Sequence, residues 1–77
     1  MKYTGAINID LIGEKVNIMT KDKNNYKGII DEVEHGGNSD RYYPDGTGIA
    51  YLYINEYRNI IYEDEIESIE ILDNDYA

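Results

Sequence analysis

Few side chains in this chain of 77 residues could do covalent chemistry. His35 is the single histidine, and Ser39 lies close to it in a glycine-rich stretch. A nucleophile needs a base within reach and a third group to orient that base. A glycine-rich loop is a poor place for such geometry, so His35 is expected as a solvated loop histidine and no catalytic residue is assigned. Cysteine is absent, which removes disulfides and thiolate chemistry. Carboxylates are plentiful, yet no spacing selects a pair for acid–base work. Glu63, Asp64, Glu65 and Glu67, or Asp73 with Asp75, offer oxygen ligands for a hard cation. Neither group has the glycine-containing loop of a dedicated calcium site. A solvated acidic edge is the expectation, with no metal and no cofactor, and the chain is expected not to be an enzyme.

The residues suited to recognition are more distinctive. Arg41, Tyr42 and Tyr43 stand together, Tyr51 and Tyr53 alternate, and Tyr57 follows closely. Arginine and tyrosine are enriched where proteins bind other molecules. Tyrosine joins a large apolar ring to a polar tip, which suits an interface. These six residues are the candidate partner or ligand contacts.

Charge narrows the partner. The net charge is −9 and it is unevenly placed: five lysines face seven acids in residues 1–40, and two arginines face nine acids in residues 41–77. Binding a phosphate backbone needs clustered Lys and Arg that release counterions. The nearest group, Lys21, Lys23 and Lys27, is interrupted by Asp22. Nucleic acid and anionic membranes are therefore disfavoured. An acidic surface either suits a basic protein partner or only keeps a small protein soluble.

The elements that must position these residues read as strands. Val16 and Ile18 alternate with Asn17 and Met19, and Thr20 continues the Val16 face, which predicts a strand over 15–20. A polar turn follows at 21–25. A second strand is predicted over about 26–34. Gly28 inside it marks a bend, a bulge or a close approach of another backbone, and such a strand can serve two sheets of one small barrel. Residues 35–47 form a long loop rich in glycine and Asx residues, either a flexible insertion folded back on the domain or a binding loop. A third strand over 48–55 has apolar or aromatic residues on both faces, so its tyrosine face needs a cover. That cover is the long loop, the terminal segment or another subunit. Residues 60–62 are a short fourth strand, 63–65 an acidic turn and 66–72 a closing strand. Before the first strand, Asp10 is placed to cap a short helical turn through Leu11 and Ile12, with Gly13 ending it. Residues 73–77 are a frayed tail.

The length sets one domain over 1–77 with a core within about 10–72. So short a chain has a thin core, and with no disulfide to staple it, oligomerisation is a plausible source of further burial. No run fits a signal peptide or a membrane span, which makes the cytoplasm the expected compartment.

Taken in order, Leu11, Gly13, Val16, Ile18, Tyr26, Gly28, Ile30 and Asp31 resemble the first motif of Sm-like domains, and residues 62–71 resemble the second. Together these cover roughly residues 10–72. The resemblance implies a mainly β fold: a small, strongly bent, five-stranded antiparallel barrel of the SH3/Sm-like kind with a short amino-terminal helical turn. It also implies a homo-oligomer, since Sm-like proteins form rings by pairing edge strands, and many bind RNA in the ring. This chain departs where RNA binding would live. Residues 31–36 lack the family's base-contacting element, and Glu63, Asp64 and Glu65 replace the basic residue and glycine of the second motif. The chain is similar to the short, acidic Sm-like proteins of Gram-positive bacteria and their phages. The first expectation is a self-associating binding module that meets a protein partner through its acidic, tyrosine-rich surface, as a phage-encoded inhibitor of a host defence protein would. A second is a small-molecule binder that sequesters a nucleotide signal at subunit interfaces, with Arg41 or Lys21 on a phosphate. The third is residual RNA binding.

Overall fold

The computed structural model describes residues 2–3 and 7–72. Alternation along the chain sets its strands. In β2 (Lys15–Thr20), Val16, Ile18 and Thr20 are buried while Lys15 is exposed and Asn17 and Met19 are half-buried, the period-two pattern of a strand with one inward face. The other strands are β1 (Lys2–Tyr3), β3 (Asn25–Glu34), β4 (Tyr51–Ile54), β5 (Asn59–Tyr62) and β6 (Ile66–Ile71). They form one antiparallel sheet in the order β1-β6-β2-β3-β4-β5.

β3 organises the sheet. Its first half pairs with β2, Lys15 standing opposite Ile29 and Met19 opposite Asn25. Its second half pairs with β4, from Ile30 opposite Ile54 to Glu34 opposite Tyr51, with a register shift between Ile30 and Glu32. One strand thus serves two ladders in succession, as its glycine suggested. A Cβ at Gly28 would overlap the Asn55 side chain, which comes from the turn after β4. The close approach at this glycine is made by a side chain rather than by a second backbone.

Three readings of the sequence need correction. The helical turn before β2 is a 3-10 turn, Ile9–Leu11, and Asn8 caps it rather than Asp10: the Asn8 side chain accepts from Asp10 N–H at 2.8 Å. The strand expected over 48–55 begins at Tyr51. Ile49 N–H is drawn back to Arg41 O at 2.9 Å, and Gly48 bridges to Tyr42, so the chain just before Tyr51 belongs to the loop. The expected barrel does not close by hydrogen bonding. β1 and β5 each pair on one side only among the described residues. Between β5 and β6 the chain makes a 3-10 turn, Glu63–Glu65. Glu65 in this turn is already engaged: its backbone O accepts from Lys21 N–H at 2.9 Å, and its carboxylate accepts from Tyr62 N–H at 3.4 Å. The strands expected from the sequence are β2 to β6, and the two-residue β1 adds a short edge beside Glu70 and Ile69. The expected frayed tail, residues 73–77, lies outside the described residues, as do Asp73 and Asp75.

The core is entirely aliphatic. Val16, Ile18, Ile30, Leu52, Ile54, Ile61 and Ile69 are the largest fully buried side chains, and each contributes roughly 1.5–3 kcal/mol by leaving water. The chain has no Phe or Trp, so all its aromatic surface is tyrosine and most of it lies outside this core.

Candidate binding face

Alternation along β4 sends Leu52 and Ile54 inward and Tyr51 and Tyr53 to the other face, where they are half-buried. The flanking registers give these tyrosines their neighbours. On one side Glu34 stands opposite Tyr51 and Glu32 opposite Tyr53. On the other side Tyr62 stands opposite Tyr51 and Ile60 opposite Tyr53. A row of carboxylates therefore runs beside a row of rings. The rings touch in sequence. Tyr51 and Tyr53 meet edge to face with centroids 5.8 Å apart, Tyr51 and Tyr62 lie at 5.2 Å, and Tyr53 and Tyr57 at 5.1 Å. All three spacings fall in the attractive range for aromatic pairs.

Tyr57 reaches this row because the turn between β4 and β5 is left-handed. Asn55, Glu56 and Tyr57 have φ of 63°, 59° and 65°. Such backbone costs about 1–2 kcal/mol per non-glycine residue, and it persists only where surrounding contacts fix it. Those contacts are present. Tyr57 N–H donates to Asp31 Oδ2 at 2.9 Å, and its hydroxyl donates to Glu32 Oε1 at 2.9 Å.

The long loop supplies the other end of the face. It is not a free flap. Gly36 and Gly48 are pressed together so closely that a Cβ on either would overlap the backbone of the other. Ser39 is buried, and its hydroxyl joins the backbone N–H and O of Arg41 at 3.1 and 3.0 Å. Arg41 is thereby held with its guanidinium 4.4 Å above the Tyr62 ring, a cation–π contact. The same guanidinium pairs with Glu65 at 3.1 Å and Asp64 at 3.5 Å. Tyr62 donates its hydroxyl to Asp40 Oδ1 at 3.3 Å.

Burial and neighbouring acids make these phenols hold their protons more tightly than a free tyrosine does. The Tyr57 hydroxyl is pushed above its ordinary value by its hydrogen bond to Glu32 and by burial. Burial and then Asp40 raise Tyr62, and burial followed by Tyr53 and Glu34 raises Tyr51. Each hydroxyl stays a donor, and each carboxylate keeps lone pairs for another donor. The face thus combines electron-rich rings with Asp31, Glu32, Glu34 and Asp40, and Arg41 is the cation held against it. Such a surface can receive a lysine or arginine: the rings attract the charge and the carboxylates accept its N–H groups.

The six expected contact residues divide here. Arg41, Tyr51, Tyr53 and Tyr57 come together on this face. Tyr43 is turned away, half-buried, with its hydroxyl on Glu63 Oε1 at 3.0 Å. Tyr42 is 63% exposed and makes no ring contact among the described residues. Tyr62 was missed, as were the acids of β3 and Asp40. The signal for Tyr62 was available: a four-residue turn over 55–58 fixes a hairpin in which residue 62 meets residue 51. The phosphate role considered for Arg41 would have to displace or share the two carboxylates already on it.

Elsewhere, His35 is exposed, and the Ser39 hydroxyl is engaged with Arg41 rather than with an imidazole. Among the described residues no group of three His, Cys, Asp or Glu side chains is arranged to hold a metal ion. No helix among them is long and apolar enough to cross a membrane. Comparison of the chain with protein-family models, with curated proteins and with solved structures found no match.

Proposed function

We propose that this protein is a non-enzymatic binding module that holds a cationic surface of a protein partner on its β3–β4–β5 face. The observation that carries this reading is the row of touching tyrosines, Tyr62, Tyr51, Tyr53 and Tyr57, flanked by Glu32 and Glu34 in register. Like charges placed side by side normally repel, so a face that gathers acids beside aromatic rings gains from a basic occupant. The net charge of −9 draws the same partner from a distance and repels polyanions. The Sm-like reading of the fold draws support from the short amino-terminal 3-10 turn and from the strand shared between two ladders at Gly28. Self-association belongs to the same reading. Ile9, Ile12 and Ile29 are exposed, and their burial between copies would extend a thin core.

The test uses N-acetyl-arginine amide and its neutral isostere N-acetyl-citrulline amide, titrated into labelled protein and followed by NMR. The expected result is saturable shifts at Tyr51, Tyr53, Tyr57 and Tyr62 with the arginine compound only. Those shifts should shrink with added salt and in the Glu32→Gln/Glu34→Gln double variant. Equal response to both compounds, or none to either, would remove this reading.

A further inference from the structure

β5 is an edge strand without the usual defences. Native edges are blunted by lysine, proline or a bulge, and Asn59-Ile60-Ile61-Tyr62 has no lysine, no proline and an unbroken register against β4. Its hydrogen-bonding phase is fixed by Glu63 N–H, which donates to Ala50 O at 2.8 Å in line with that register. Bonding alternates along an antiparallel pair. Asn59 and Ile61 therefore face β4, while Ile60 and Tyr62 turn their backbone groups to the open side. The Glu65 side chain covers Tyr62 N–H at 3.4 Å. Among the described residues nothing comparable covers Ile60, whose side chain is 44% exposed.

Beside this edge lies a cleft of about 350 Å³. Tyr26 and Ile60 supply apolar wall, and Lys21, Asp22, Asp64 and Glu65 supply charge, with acids in excess. Asp64 is under-partnered. Among the described residues its Oδ1 is out of solvent with no hydrogen-bond partner, and its Oδ2 has the Arg41 contact at 3.5 Å. A buried acceptor left unmade is costly, more so when charged.

We propose that β5 takes up an extended basic segment of a partner protein as an added strand, with one lysine or arginine of that segment entering the cleft beside Asp64 and Glu65. Strand addition takes main-chain bonds from the edge and specificity from pockets for alternate side chains. Side chains on one face of the added strand reach the cleft past Ile60. Those on the other face lie beside Tyr62, next to the tyrosine row. A second copy of this chain is the poorer occupant, because it brings a net charge of −9 against an acidic cleft. The proposal deepens the reading of the tyrosine face by giving the partner's form, but its own support is the bare edge and the cleft.

The probe is an N-acetylated, C-amidated peptide of alternating lysine and valine, compared with alternating lysine and glycine and with alternating glutamate and valine. Amide shifts and hydrogen exchange are read on labelled protein. The Lys/Val peptide should protect the Ile60 amide and shift Lys21, Asp22 and residues 60–65. The Lys/Gly peptide, equal in charge but poor in strand preference, should bind far less, and the Glu/Val peptide should not bind. Asp64→Asn should weaken the Lys/Val peptide by roughly threefold to tenfold, less than for a buried pair because the Asp64 side chain is partly exposed. Equal binding of the Lys/Gly peptide would overturn the proposal, as would shifts confined to Tyr51, Tyr53 and Tyr57. The second of these outcomes leaves the tyrosine-face reading standing. Protection at Ile60 without arginine-compound shifts on the tyrosine face would support the edge and remove the other reading. An Ile60 amide that protects with protein concentration alone, with the particle mass rising, would assign the edge to a second copy and overturn the proposal.

Discussion

β4 and β5 carry two faces that share a backbone and almost nothing else. Inside, Leu52, Ile54 and Ile61 are 0%, 0% and 2% exposed and belong to the aliphatic cluster of the core. Outside, Tyr51, Tyr53 and Tyr62 touch one another, Arg41 and a line of acids. The inner face is apolar and non-directional, so its value is area removed from water. The outer face consists of directional contacts left half in solvent, each worth little for folding and each still able to change partners. A chain with a thin core has put its aliphatic residues where they stabilise and its tyrosines where they can recognise. The two faces should therefore respond to substitution in opposite ways.

Leu52→Ala is the sharpest way to break that comparison from the inside. It should destabilise the fold by roughly 2–5 kcal/mol, the range for leucine truncation in a closed core, seen as a lower urea midpoint. An effect below about 1 kcal/mol, the scale of an ordinary surface change, would mean that the inner face is not the stabilising one. Gly48→Ala comes next. The new methyl meets the Gly36 backbone, which has no flexible end to move aside. Overpacking of this kind costs about 1–3 kcal/mol. The cost should fall on the loop, freeing Arg41 from the Tyr62 ring, and hydrogen exchange should rise over residues 36–48 more than in β2.

The inner face was legible in the sequence and the outer one only in part. Period-two alternation located Val16, Ile18, Leu52 and Ile54 because burial imposes the period directly. It also paired Tyr51 with Tyr53. It did not show that the long loop is pinned by two glycines back to back, since residues 36 and 48 are brought together only by the fold. Nor did it show that Arg41, Asp40 and Tyr62 meet, because each contact joins residues far apart in sequence. The left-handed turn was hidden for another reason. Asn55, Glu56 and Tyr57 include no glycine, and the backbone is held by contacts far away in sequence, from Ile29, Asp31 and Glu32. The closed barrel was over-read: strand composition predicts strands but not whether the two edges meet.

Glu56→Gly tests the strain at that turn. Glycine accepts positive φ without the steric cost, but it also widens the unfolded ensemble, so the net gain should be no more than about 1 kcal/mol. The more telling readout is Tyr57. If strain is what the Tyr57 contacts oppose, relieving it should leave the Tyr57 hydroxyl on Glu32 and the ring against Tyr53. A variant less stable than the parent would mean that Glu56 makes a contact worth more than its backbone costs.

The smallest effect is the one that separates the faces by pH. The phenols of Tyr51, Tyr57 and Tyr62 lie above their ordinary value of 10.0 in the folded chain, through burial for Tyr51 and Tyr62 and the Glu32 hydrogen bond for Tyr57. Below about pH 10, where an unfolded tyrosine titrates, both states keep the proton and the contribution is complete. Above it the unfolded state releases protons first, so it binds fewer than the folded state and stability falls as pH rises through the raised folded values. Leu52, Ile54 and Ile61 carry no titrating group, so the alkaline loss should come from the outer face and from Tyr43, whose phenol is raised by burial and by its hydrogen bond to Glu63. Tyr57→Phe keeps the ring against Tyr53 and removes the hydroxyl, and it should flatten the loss above about pH 10. Phenolate absorbance measured beside unfolding midpoints would check it. If Tyr57→Phe leaves the pH slope unchanged, the hydroxyl on Glu32 is exchanging freely with water, and the Tyr57 side chain is held by its ring alone.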